Sequence, residues 1–279
     1  MCTVSWLRTS DGYHLLCNRD ERRARKPASA PFVQQRHGVR FISPTDGDHG
    51  GAWIAVNEVG LTFCLLNRYA FERCREETGT GYQSRGLLLM GLVDCSSLAE
   101  VRTRITCFDL EEFQPFTIVV LSPVEPALLC HWNGCDIRLE SDGDEAMPLT
   151  SSLLDQKGVE ACRKRLFERV LAERGHLDIQ LLFDFHSSHL PVCGAYSPCM
   201  HREDASTVSF SWVTVAKDSI RFCYLPGAPC SYESLSLREN LDVGHFRKVV
   251  LGRCTRDARA SGPSGPAPLV IGATDKGGH

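Results

Sequence analysis

The sequence predicts an α+β domain in which two antiparallel sheets pack face to face and helices stack on the outside. Three observations carry that expectation. Short apolar runs come in hairpin-spaced pairs near both ends of the chain, amphipathic stretches with helical spacing fall between them, and the order is strands, helices, strands, helices, strands.

The first pair is CTVSWLRT and YHLLCN, joined at Ser10-Asp11-Gly12, because Asp-Gly between apolar runs is a strong hairpin signal. A basic, proline-containing loop follows from Arg22 to Pro31, and then GGAWIAVN and GLTFCLLN form a second pair joined at Asn57-Glu58-Val59-Gly60. Ser84 to Asp94 and Ser96 to Ile105 carry serine at the N-cap and apolar residues at helical spacing, which predicts helices over one sheet face. Strands return as FTIVVL, ALLCHW and CDIRL. The run from Lys157 to Arg174 is the clearest amphipathic helix, stopping before Gly175, and Asp178 to His186 is a shorter one. STVSFSWVTV and SIRFCYL make a last hairpin around Ala216-Lys217-Asp218. From Thr255 the chain is rich in Gly, Pro, Ala and Ser, so the expected organisation is one domain over 1–254 and a disordered tail over 255–279.

Composition narrows the function classes. With 279 residues, 43% of them hydrophobic, the chain can bury a substantial core. Lys plus Arg number 31 against 34 Asp plus Glu, and a net charge of -3 offers no general attraction for nucleic acid or an anionic membrane. No apolar run reaches the roughly 18 residues that span a bilayer, and the first thirty positions turn basic and polar instead of forming a signal-peptide core. The expectation is a cytoplasmic protein acting on a small molecule, with oligomeric state left open. The fourteen cysteines sit mostly in apolar runs, as Cys64 and Cys223 do, which reads as buried, reduced thiols. Cys193, Cys199 and His201, with His186 and His189 upstream, resemble a loose metal pattern. Without a tight Cys-x-x-Cys pair the sequence predicts no metal.

The chemistry concentrates at the N-terminus. Initiator Met is removed ahead of small residues, so Cys2 is expected to bear a free α-amine of pKa about 7.7–8.0 beside its own thiol, nucleophile and general base in one residue. The hairpin places Cys2 beside Asn18-Arg19-Asp20-Glu21. Arg can favour the thiolate or a substrate carboxylate, Asp can orient the α-ammonium, and Asn can donate to an oxyanion. A two-residue turn at Asp11-Gly12 puts Cys2 opposite Glu21 on the face of Arg19, and a three-residue loop puts it opposite Asp20 with Asn18 alongside. Gly50 and Gly51 read as a tight chain path, and Trp53 and Trp212 suit a core.

These pieces, Met1-Cys2, the NRDE of residues 18–21, Gly50-Gly51-Ala52-Trp53 and a strand ending at Asn67, resemble the NRDE family, which includes the eukaryotic transport and Golgi organisation protein 2 group. The similarity runs from Cys2 to about Cys230. It implies a four-layer αββα N-terminal-nucleophile hydrolase fold, similar to choloylglycine hydrolases and penicillin acylases, which cleave non-peptide amide bonds. By the resemblance Cys2 is the nucleophile, Arg19 and Asp20 match the Arg and Asp beside it, and Asn67 is an oxyanion donor. Asn18, Glu21, Trp53 and His201 complete the candidate set as substrate-binding residues. The family commonly shows Ser-Asn in the segment corresponding to Leu149-Thr150-Ser151-Ser152-Leu153, where this chain has no Asn. The reading that follows is a cysteine amidohydrolase of a small linear amide or acyl conjugate, without metal or cofactor. The alternative is a non-catalytic carrier of haem or acyl-coenzyme A, using Cys2, His14 or His201 and Arg19 as ligand contacts.

Overall fold

In the computed structural model, which describes residues 2–69, 81–232 and 246–254, the first hairpin is the seed of one sheet. Strands β1 (Cys2–Thr9) and β2 (Gly12–Arg22) pair antiparallel throughout, but the turn residues are Ser10-Asp11, not Asp11-Gly12. The register therefore moves by two, and Cys2 stands opposite Arg19. Gly12 already belongs to β2, where a Cβ would overlap the Val215 carbonyl oxygen of a neighbouring strand. Only glycine lets the two backbones approach this closely.

The other strands are β3 (Phe32–Arg36), β4 (Val39–Ser43), β5 (Ile54–Asn57), β6 (Thr62–Asn67), β7 (Phe116–Leu121), β8 (Leu128–Trp132), β9 (Ile137–Glu140), β10 (Leu149–Ser151), β11 (Ala205–Val215), β12 (Ser219–Pro226) and β13 (Arg247–Gly252). One sheet has the order β10-β1-β2-β11-β12-β13, and the second runs β3 to β9 in sequence. Neighbouring strands in both sheets pair antiparallel. Helices α1 (Arg85–Met90) and α2 (Leu98–Ile105) cover the second sheet, and α3 (Gln156–Arg174) and α4 (Ile179–Ser187) cover the first. The result is the expected αββα sandwich.

Period-two alternation sorts the side chains of β1 and β2 into two faces. Cys2, Val4, Trp6, Tyr13, Leu15 and Cys17 enter the core between the sheets, where they meet Ile54, Val56, Cys64 and Val119. Leu16 faces the other way, with Phe210 and Trp212, against Leu166, Phe167 and Phe185 of the helices. Each large apolar side chain buried this way contributes about 1.5–3 kcal/mol. Helix ends follow their signals. Ser97 caps α2 by accepting from Glu100 N, Asp155 caps α3 by accepting from Gly158 N, and Gly175 closes α3 at φ 77°.

Strands β3, β4, β10 and β13 were not legible in the sequence. Phe32 and Val33 are exposed on an edge strand, so no one-sided apolar alternation marks that run. The predicted tail from Thr255 lies outside the described residues. No helix among the described residues is long and apolar enough to cross a membrane.

One buried group ties stability to pH. His186 of α4 is fully buried with its Nε2 2.9 Å from Ser5 Oγ, and burial with the nearby Arg163 charge lowers its pKa to about 3. The unfolded chain takes up this proton near the ordinary histidine pKa of about 6.5, the folded chain only near 3. Between those values acid favours unfolding by about 1.4 kcal/mol per pH unit for this group. Denaturation midpoints measured from neutral pH downwards should fall in wild type, and fall less steeply in His186→Gln.

Candidate active site

Cys2 begins β1 between two partners, Ser151 of β10 and Arg19 of β2, and its backbone nitrogen donates to Ser151 Oγ at 2.9 Å. Its thiol lies at the end of a row of sulfurs crossing the inter-sheet core, since it hydrogen-bonds Cys17, whose Sγ is 3.7 Å from Cys64 Sγ. That hydrogen bond and burial push the Cys2 thiol well above its ordinary range. The expectation that Arg19 would favour a resting thiolate is thereby corrected. Arg19 is turned to another partner.

That partner is Asp46, in the loop after β4. One Arg19 guanidinium nitrogen makes a very short contact with Asp46 Oδ2, and the guanidinium stacks 4.0 Å from the centroid of the Trp53 ring. Asp46 also receives Arg25 at 3.0 Å and the backbone N–H groups of Asp48 and His49. Burial opposes its ionisation, but the hydrogen bond and charge of Arg25, with the charge of Arg19, hold its carboxyl below the usual carboxylate range. Glu21 joins the group through Arg25 at 3.0 Å and Arg19 at 3.8 Å. Trp53 is thus the platform of Arg19, with its Nε1 buried and without a hydrogen-bond partner among the described residues. The tight path expected at Gly50 and Gly51 is present: Gly50 has φ 69°, and a Cβ on Gly51 would overlap the Gly86 backbone at the start of α1.

Asp20 borders the cleft, but alternation turns its carboxylate to the helix side, away from the face of Cys2 and Arg19. There it accepts from Thr207 Oγ1 at 2.7 Å and lies 3.5 Å from Arg163 of α3. Burial raises its pKa while the Arg163 charge lowers it, leaving a net rise. Arg163 is itself 1% exposed and donates to Thr3 Oγ1 and to the carbonyls of Ala195 and Tyr196. Opposite Asp20, β11 bulges between Thr207 and Ser209. The idea that Arg19 and Asp20 present both side chains to Cys2 is corrected in favour of one on each face.

Two expected binding residues are also elsewhere. Asn18 is fully buried on the helix side and donates to the carbonyls of His186 and Pro198, both at 2.9 Å. His201 lies 3.5 Å from Cys199 Sγ and 3.2 Å from Cys230 Sγ, and it does not line the cleft. His14 faces Thr214 and Trp212, which removes it from the carrier contacts.

What remains together is a cleft of about 370 Å³ lined by Cys2, Arg19, Glu21, Trp53, Asn67 and Arg85, among others. It shares Glu21, Arg25, Asn67 and Arg85 with a larger groove of about 1040 Å³, whose rim includes Arg68, Arg202 and the exposed Leu153 and Leu154. Asn67 ends β6 and donates to the Tyr69 hydroxyl at 2.8 Å. Arg85 packs near the Tyr69 ring and donates to Pro115 O, and burial lowers its pKa. The geometry places Cys2, an amide and guanidinium groups along one cleft, and opens it to a groove lined by arginines and carboxylates with apolar neighbours.

Asp46 and Arg163 were not singled out from the sequence, and Ser151 was met only through the family resemblance, within the segment where the family commonly shows Ser-Asn. For Asp46 no signal was available, because the chain path brings it in from a loop distant in sequence. Arg163 did leave one. It lies four residues from both Val159 and Phe167, on the apolar stripe of α3.

The family profile described as Transport and Golgi organisation 2 matches residues 1–204. No curated protein sequence matches the chain significantly. Among solved structures, penicillin V acylase from Agrobacterium tumefaciens superposes with TM-score 0.50 at 9% identity, covering 81% of this chain and 83% of that one. The Caenorhabditis elegans N-acylethanolamine-hydrolyzing acid amidase ortholog follows at TM-score 0.49 and 14% identity, covering 76% and 92%. A mutant conjugated bile acid hydrolase from Clostridium perfringens gives 0.48 and 12%, covering 89% and 96%. The acylase and the two-sheet topology agree on the N-terminal-nucleophile hydrolase fold.

Proposed function

The chain belongs to the Transport and Golgi organisation 2 family, and from that premise we propose that it is an N-terminal cysteine amidohydrolase acting on a small amide or acyl conjugate. The observation that carries this reading is Cys2 at the floor of a cleft, first residue of its strand, with its nitrogen anchored on Ser151 and Arg19 directly opposite.

With Met1 removed, the neutral α-amine of Cys2 takes the thiol proton as sulfur attacks the amide carbonyl carbon. The carbonyl π pair moves to oxygen, where the Asn67 amide is the candidate donor. Collapse of the tetrahedral intermediate breaks the C–N bond, the α-ammonium returns its proton to the leaving nitrogen, and a thioester stays on Cys2. Water then attacks with the amine again as base, releasing the acid and restoring the thiol. The raised thiol pKa fits this scheme, since the proton is transferred only when substrate is present. The groove carries both arginines and carboxylates, which suits a polar substrate group of either sign, and Leu153 and Leu154 suit an apolar one.

The same buried, protonated thiol favours the second reading, a carrier of an acyl-coenzyme A or similar anionic ligand that holds its cargo in the groove without attack. Haem has less support, because His14 and His201 stand away from the cleft. A panel of aromatic, fatty and bile-type amides tests the choice. Hydrolysis of at least one, with an acyl adduct on the Cys2 peptide after acid quench, is the expected result. Ligand binding with no amide turned over and no adduct would transfer the assignment to the carrier.

A further inference from the structure

We propose that His189, Cys199, His201 and Cys230 hold one zinc ion in a closed tetrahedral site. The ligand atoms of these four side chains all lie within 4.8 Å of one another. Tetrahedral zinc with Zn–S of about 2.3 Å and Zn–N of about 2.0–2.1 Å separates neighbouring ligand atoms by about 3.3–3.8 Å. His201 Nε2 already stands at 3.5 Å from Cys199 Sγ and 3.2 Å from Cys230 Sγ. His189 supplies an independent sign, because its Nε2 is buried and has no hydrogen-bond partner among the described residues. An orphaned ring nitrogen is unusual in a folded interior. Its ring meets that of His201 nearly edge-on, with centroids 5.1 Å apart and planes at 79°.

The chain path explains how four residues converge. Cys199 and His201 flank Met200 where the chain, leaving a bend at Cys199, pairs with the start of β11, and their side chains meet at 3.5 Å. His189 follows α4, and Cys230 lies in the short 3-10 helix Pro229–Tyr232 after β12. Two thiolates and two imidazoles, with no oxygen ligand, select zinc over calcium or magnesium, and four protein ligands leave no open position for catalysis. The role is structural. Cys199 and His201 flank Met200, whose N–H donates to Thr207 Oγ1, which in turn donates to Asp20. Pro198, one residue earlier, receives Asn18. The ion therefore fastens the layer behind the strand that carries Arg19. The ligand set differs from the sequence pattern: Cys193 is exposed and His186 is committed to Ser5.

The test uses the full chain, stripped by chelator under reducing conditions and titrated with Zn²⁺ and with Co²⁺. One equivalent of zinc per chain is expected, with a rise in melting temperature, and cobalt should give thiolate charge-transfer and tetrahedral ligand-field bands. Cys199→Ser/Cys230→Ser should abolish the cobalt bands and weaken zinc by a factor on the order of a hundred or more, while Cys193→Ser keeps both. X-ray absorption of the zinc-loaded wild type needs no variant and should find two sulfur and two nitrogen neighbours. Cobalt spectra without thiolate bands, bands that survive the double substitution, or a non-reducible Cys199–Cys230 disulfide would each overturn the site.

Discussion

Replacing Cys2 by Ala or Ser is expected to lower amide turnover by a factor on the order of a thousand or more while substrate binding stays nearly as before, because covalent catalysis is lost and ground-state contacts are kept. Arg19→Ala should separate from both. Arg19 is buried against Asp46 and Trp53 at the cleft wall, so its loss weakens binding of anionic ligands and leaves the Asp46 charge to Arg25 and its backbone donors. In wild type, turnover should rise with pH through the neutral range, since the buried thiol beside Cys17 gives up its proton only to a neutral amine. Steady-state kinetics with parallel binding titrations check this. Turnover that survives Cys2→Ala unchanged would remove Cys2 as nucleophile.

The second large effect concerns stability. Arg163→Met should destabilise the fold by about 3–5 kcal/mol, because it deprives a fully buried carboxylate, Asp20, of its guanidinium and strips donors from Thr3, Ala195 and Tyr196. The double variant Arg163→Met/Asp20→Asn should recover much of that loss, since no buried charge is left behind. Denaturant midpoints for the two singles and the double give the coupling directly. Simple additivity would mean that the pair is only packed together and not electrostatically joined.

How far the site could be read in advance varies with the kind of information each residue needs. Cys2 and Arg19 were legible at the paired ends of the first hairpin and Asn67 through the family resemblance, and all three line the cleft. The partition of Arg19 and Asp20 stayed open between two readings: the two-residue turn already put Arg19 on the face of Cys2, and because Ser10-Asp11 made the turn the register moved by two, which keeps that face and exchanges Glu21 for Arg19 opposite Cys2. Asn18 was read from its place beside Arg19 and His201 from its place just before the STVSFSWVTV strand. Pleat and loop path sent them to the helix side and to the sulfur cluster.

By itself the sequence determined the strand and helix periods, hence the αββα layers, and it put a nucleophilic residue at the head of the first strand. Those properties follow from local alternation and capping, which need no knowledge of partners. Tertiary structure alone decided that Asp46 takes the charge of Arg19, that Cys17 and burial keep the Cys2 thiol protonated, and that Arg163 answers Asp20. Hydrogen bonds and desolvation act over a few ångströms in space between residues as distant in the chain as Asp20 and Arg163. No reading of neighbours along the sequence carries that distance.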